Sequence, residues 1–222
     1  MGSNRIKAFI FDLDGTLIDT ERIYRMLWPK AVEQMGYTLS DEMYLSLRSL
    51  GRPYAPKRFE EWFGSEFDYD QARIIRKKYF DEYIKKNGIQ LKSGAIELLT
   101  YLRNKGYITA IATATDLKRA GEYMDMTGLT GYFDRIISAT QVDEGKPSPK
   151  VYLYACEQLS LQPAECIAVE DAPNGITSAY GAGLECIMVP DLTGPDEDIE
   201  TKVVYVAESL HKIIDYVENL EQ

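Results

Sequence analysis

Residues 7–16 read KAFIFDLDGT, a short apolar run from Ala8 to Phe11 that stops at two aspartates spaced two apart and a Gly-Thr pair. A continuous apolar run of this length suits a strand covered on both faces of a parallel sheet. Asp12 and Asp14 then fall at its carboxyl end, the edge at which open α/β sheets hold their ligands. Side chains two apart in extended chain share a face, so both carboxylates face one site if the extension persists through Leu13. Two like charges at short range are costly without a cation or a proton, and the spacing points to a hard metal such as Mg2+. Gly15 permits an immediate sharp turn. Because Asp-Gly is also an ordinary turn after a strand, the rest of the chain has to decide between turn and site.

From Leu17 to about Gly88 helix follows helix, with no convincing strand and a high density of Tyr, Trp, Arg and Lys. Thr20 is expected to cap a first helix that carries Ile23, Leu27 and Ala31 inward, and Pro29 is expected to kink or restart it. Ser40, followed by Asp41 and Glu42, opens a second helix. The Gly and Pro content of residues 51–56, GRPYAP, predicts a loop with Arg48, Arg52, Tyr54 and Lys57 in or beside it. Asp68 and Gln71 make a capping-box-like start for a long helix that ends at Asn87-Gly88.

After Ser93 the rhythm changes to alternating helix and strand. An amphipathic helix over 95–105 precedes a buried strand over 107–113, a helix over 116–127 closed by Gly128, and a strand over 135–139. Ser148-Pro149 predicts an N-cap and first position for a helix reaching Leu159, followed by strand 166–169, helix 174–181 and strand 185–189. Such alternation implies parallel strands joined by right-handed helical crossovers. The expected organisation is an α/β core of residues 1–17 and 90–222, interrupted after its first strand by an all-helical insert over 18–89.

Composition narrows the chemistry. A net charge of -10 argues against nucleic acid as a partner, because phosphate backbones need a basic face, and an anionic substrate would need local basic residues. No apolar run approaches the ~18 residues of a membrane span, and MGSNRIK lacks the apolar segment of a signal peptide, so the cytoplasm is the expected location. Cys156, Cys166 and Cys186 are odd in number and scattered, which fits small buried hydrophobes better than a disulfide or zinc framework.

Three further strand ends carry polar groups. Strand 107–113 ends in Thr113-Ala114-Thr115, the loop after strand 135–139 carries Lys146-Pro147, and strand 166–169 ends in Glu170-Asp171. Each alone has a plain structural explanation, as a helix cap, a solvated lysine or a helix start. In combination with DLDGT over 12–16 and VEDAPNG over 169–175, the chain resembles the haloacid dehalogenase-like superfamily of phosphotransferases. The branch is the one that includes β-phosphoglucomutase and many small-metabolite phosphatases. The resemblance covers essentially the whole chain and implies a Rossmann-like parallel-sheet core with an inserted helical cap, in agreement with the segmentation above.

The resemblance also implies roles. Asp12 would attack phosphorus and become an aspartyl-phosphate, and Asp14 would serve as general acid and base. Mg2+ would be held by Asp12, Asp171 and the main-chain carbonyl of Asp14, with Glu170 acting through a metal-bound water. Thr113 and the amides of Leu13 and Ala114 would grip phosphoryl oxygens, while Lys146 neutralises the nucleophile. The implied substrate is a small phosphorylated metabolite. A phosphatase and a phosphomutase share this core, and the mutase adds a cap histidine, with a cap Lys and Arg for its second phosphate. Here Asp19-Thr20 is present, the histidine position is Tyr24, and Arg48 and Arg52 fall at the Lys and Arg positions. The single histidine, His211, is expected on the surface of the C-terminal helix. The arginines match the mutase and the histidine does not. Because excluding water from an aspartyl-phosphate is the demanding part of a mutase, hydrolysis, of a sugar phosphate for example, is favoured, with a sugar phosphomutase as the alternative. A dehalogenase would not need Asp14 or a metal, and a catalytically silent binding protein would not need Asp12, Asp14, Lys146 and Asp171 together.

Overall fold

The computed structural model describes residues 6–220. Strand β1, Ala8–Phe11, is wholly buried and lies inside a six-stranded parallel sheet of order β3-β2-β1-β4-β5-β6. The other strands are β2 Ile108–Thr113, β3 Arg135–Ser138, β4 Cys166–Glu170, β5 Glu185–Met188 and β6 Tyr205–Val206. Strand alternation splits the core into two layers. Phe9 and Phe11 face one side, with α5 (Ala95–Asn104), α6 (Leu117–Thr127) and α10 (Leu210–Leu220). Ala8 and Ile10 face the other, with α7 (Lys150–Leu159) and α8 (Pro173–Gly181). All three cysteines are free and buried.

Strand order reverses at β1, because β2 pairs on one of its sides and β4 on the other. A crevice therefore opens beyond its carboxyl end, where α/β sheets place ligands. Between β1 and α5 the chain forms α1 (Glu21–Glu33), α2 (Asp41–Leu47), α3 (Tyr54–Phe63) and α4 (Tyr69–Asn87), with no strand. An aromatic cluster holds these helices together: the Trp28 and Phe59 rings are 5.1 Å apart, and Phe59 and Phe67 are 5.2 Å apart. The two crossings into this insert pair with each other, Asp19 N donating to Gln90 O at 2.8 Å and Lys92 N to Leu17 O at 2.9 Å.

Several local expectations need correction. Helix α1 runs through Pro29 unbroken, because Leu27, Trp28, Ala31 and Val32 around it are buried and tertiary packing outweighs the lost hydrogen bond. Residues 54–56 are not loop but the first turn of α3, where prolines cost little since those N–H groups have no intrahelical acceptor. Helix α7 is capped at Pro149, one residue later than expected. Thr20 does not cap α1 with its side chain. Ser40, Asp68 and Asp116 do cap their helices, accepting from Met43 N, Gln71 N and Arg119 N at 3.1, 2.9 and 3.1 Å. The short helix α9 (Glu197–Glu200) and strand β6 have no counterpart in the sequence reading.

Candidate active site

The polar strand ends meet in the crevice beyond β1. Asp12 is buried, and its Oδ1 accepts from Lys146 Nζ. Asp12 Oδ2 is buried with no partner. Burial pushes the Asp12 carboxyl well above the usual range, Lys146 pulls against it, and Glu170, Asp171 and Asp14 add to the rise. Burial draws the Lys146 ammonium down, but Asp12 and Glu170 win and hold it above its ordinary value, so it stays charged.

Asp14 is fixed from both sides, Thr20 Oγ1 donating to Oδ1 at 2.6 Å and Thr115 Oγ1 to Oδ2 at 2.7 Å. This is where the Thr20 hydroxyl goes in place of a helix cap. Thr113 closes β2, and its Oγ1 accepts from Thr115 N at 3.0 Å, so one threonine positions the other. Leu13 is wholly buried beneath the turn, and Ala114 lines the cavity wall.

At the end of β4, Glu170 Oε1 accepts from Lys146 Nζ and from Tyr152 OH, both at 2.6 Å, while Oε2 is buried and unpartnered. Asp171 Oδ1 accepts from Thr16 Oγ1 at 3.3 Å, and Oδ2 faces Arg48 Nη1 at 3.4 Å. Burial raises the Asp171 carboxyl well above its usual range, with Glu21 and Glu170 adding to this. Two glycines make room. A Cβ on Gly15, whose φ is +86°, would lie 2.6 Å from Asp171 Oδ2, and one on Gly175 would lie 2.1 Å from the Glu170 carboxylate.

Asp12, Glu170 and Asp171 each bring an oxygen within 4.8 Å of the others, a buried cluster that could hold a metal ion. The unpartnered Oε2 of Glu170 fits that use, and an all-oxygen donor set suits a hard divalent cation. The Asp14 carboxylate is engaged with its two threonines and lies outside this cluster.

A cavity of about 410 Å3 extends from Asp12 and Asp14 towards the insert. Arg48 reaches the core, pairing with Asp171 and donating to Thr193 Oγ1. Arg52 pairs with Asp70, and both side chains are half exposed or more. Tyr24 lines the cavity, with its hydroxyl 3.0 Å from that of Tyr123. Burial, with help from Asp14, pushes its phenol up to about 12. His211 is exposed on α10 and packs beside Gly94. Sequence reasoning missed Tyr152, one of 16 tyrosines, and Glu21. Tyr44 OH donates to Glu21, whose carboxyl burial lifts to about 8 with Tyr44 opposing and Asp14 adding. It also missed that Gly51 N donates to Lys146 O at 2.8 Å and Gly145 N to Arg52 O at 2.7 Å, joining the insert to the lysine loop.

The profile of the haloacid dehalogenase-like hydrolases matches residues 6–183, a stretch that contains every one of these strand-end groups. The chain belongs to that family. It is 32% identical over 185 residues to hexitol phosphatase A of Escherichia coli, covering 83% of each chain. To the phosphorylated carbohydrates phosphatase of Thermotoga maritima it is 30% identical over 186 residues, covering 82% of this chain and 84% of that one. A solved structure of a CbbY variant from Rhodobacter sphaeroides, in complex with xylulose-1,5-bisphosphate, superposes with a TM-score of 0.80 at 26% identity, over 93% of this chain and 96% of that one. As a haloacid dehalogenase-like protein with such relatives, the chain is an enzyme of the phosphatase and phosphomutase class.

Proposed function

We propose that this enzyme is a Mg2+-dependent phosphatase that hydrolyses a small phosphorylated metabolite through an aspartyl-phosphate on Asp12. The observation that carries the reading is the asymmetry of Asp12: Lys146 holds Oδ1, while Oδ2 has no partner and the residue lines the cavity. A carboxylate fixed by one oxygen and free at the other is prepared to attack phosphorus in line. The new Oδ2–P bond forms as the bond from phosphorus to the leaving oxygen breaks. Asp14, immobilised by Thr20 and Thr115, supplies the proton to that oxygen. The same carboxylate then takes a proton from the water that attacks phosphorus, which releases phosphate and restores Asp12.

Thr113 and the amides of Leu13 and Ala114 are assigned to the phosphoryl oxygens, and Lys146 to the charge that develops on the transferring group. The residues that would hold Mg2+ are Asp12, Asp171 and the main-chain carbonyl of Asp14, with Glu170 beside them. When bound, the ion supplies positive charge between an anionic nucleophile and an anionic phosphate. The insert over 18–89 acts as a cap that excludes bulk water. Hydrolysis is preferred to isomerisation because the histidine position is a tyrosine whose hydroxyl meets Tyr123. Arg48 and Arg52, which fall at the positions of a mutase's cap Lys and Arg, are paired with Asp171 and Asp70.

The test is p-nitrophenyl phosphate hydrolysis with and without Mg2+. Asp12→Asn and Asp14→Asn are each expected to lower turnover by at least about 100-fold while circular dichroism and thermal unfolding show a folded protein. Turnover retained in either variant defeats the assignment.

A further inference from the structure

In a chain of net charge -10, the cavity wall on the insert side is basic. Arg48 and Arg52 are balanced by acids, as described. Arg73 and Arg76 are not. They sit three apart on α4, hence on one face, and both line the cavity. Neither has an acidic partner among the described residues, and Arg76 Nε is buried without any hydrogen-bond acceptor.

Aromatic faces hold these guanidinium groups in place of acids. Arg76 lies 4.6 Å from the ring centroids of both Tyr24 and Trp28, and Arg73 lies 6.0 Å from that of Tyr69. Stacking fixes the plane of a guanidinium but leaves its N–H edge unsatisfied, and that edge matches a carboxylate or phosphate in two-pronged fashion. Tyr24 and Arg76 line the same cavity as Asp12 and Asp14. Its phenol senses the negative charge of Asp14 and the positive charge of Arg76.

We infer that Arg73 and Arg76, laid on Tyr24, Trp28 and Tyr69, form a subsite for a second oxyanion on the substrate. The inference rests on the phosphatase reading of the Asp12 site and adds to it a substrate class, phosphate esters whose leaving group carries its own carboxylate or phosphate. Arg52 lies 5.2 Å from the same Tyr69 ring but is paired with Asp70, as Arg48 is with Asp171. An anion here also supplies the counter-charge that two partly buried arginines otherwise lack.

Two matched pairs of esters test it. D-glycerate 3-phosphate and sn-glycerol 3-phosphate differ by a carboxylate against a hydroxymethyl group, and fructose 1,6-bisphosphate and fructose 6-phosphate differ by the second phosphate. Dissociation constants are measured calorimetrically in Mg2+ on the Asp12→Asn protein, so that binding is read without turnover. The doubly anionic member of at least one pair is expected to bind roughly tenfold tighter or better, and adding Arg76→Gln is expected to bring the two members within about twofold. No preference in either pair, or a preference that survives Arg76→Gln, overturns the subsite. Should Arg76→Gln not fold, Arg73→Gln reads the same ratio, and the preference without either change stands alone as a test. Failure of the phosphatase reading shows separately, as wild-type protein that does not hydrolyse p-nitrophenyl phosphate.

Discussion

Lys146 Nζ lies 2.6 Å from Glu170 Oε1, and neither side chain touches solvent. The same ammonium serves Asp12, so one buried cation stands between two buried carboxylates that would otherwise repel each other. Removing one partner of a buried ion pair leaves an uncompensated charge at a cost of about 3–5 kcal/mol. Lys146→Met is therefore expected to destabilise the metal-free protein by about that much in urea unfolding and to abolish turnover. A loss under about 1 kcal/mol would mean that the two carboxylates take up protons in place of the lysine.

The clustered carboxylates make a second expectation. A cation that binds Asp12 and Asp171 in the native state alone stabilises it by mass action, about 2.7 kcal/mol at a hundred times its dissociation constant. Millimolar Mg2+ should raise the unfolding temperature of wild-type protein, and Asp171→Ala should erase both that rise and activity. Glu170→Gln should mainly weaken the affinity for Mg2+. Equal loss in the two variants would reverse their ranking as direct and indirect partners.

Glu21 gives a pH dependence with a definite sign. Its carboxyl titrates near 8 when folded against an ordinary value of 4.5, so between these values the native state holds a proton that the unfolded chain has lost. Stability from this group is complete below about 4.5 and is lost as pH rises through 8. Glu21→Gln, permanently neutral, should gain on wild type by a few degrees in unfolding temperature between pH 5 and 8, measured in EDTA. A constant difference across that range would show Glu21 to be ionised throughout.

The groups legible in the sequence share a property: each sits in a short local pattern. Asp12 and Asp14 end an apolar run, Thr113 ends another, and Glu170-Asp171 ends a third. Parallel-sheet logic carries such strand ends to one edge whatever the details of packing. What could not be read depends on partners far apart in the chain. Tyr24 meets Tyr123 across 99 residues, Thr115 reaches Asp14 across 101, and Arg48 reaches Asp171 across 123. No local rule distinguishes Tyr152 from an ordinary core tyrosine, although its hydroxyl secures Glu170. Pro29 fails as a helix breaker for the same reason, because burial of its neighbours decides the matter.

The seam between insert and core supplies the last prediction. Besides the paired crossings at 17–20 and 88–93, it is closed by the Gly51 and Gly145 amides, bonded to Lys146 O and Arg52 O, and by a clasp on the other side. In that clasp Arg119 of α6 donates to Asp81 of α4 at 2.6 Å, and its guanidinium lies 5.2 Å from the Phe80 ring. Asp81 is nearly half exposed, so the bond is worth about 1 kcal/mol at most, roughly a fivefold change in an opening equilibrium. If the insert rocks about its crossings to admit substrate, Asp81→Asn should speed hydrogen exchange of the Gly51 and Gly145 amides by up to that factor. Amides of β1, which exchange only when the sheet itself opens, should be unaffected. Equal acceleration of Phe11 and Gly51 would mean that the clasp stabilises the whole fold and that the insert and core do not open separately.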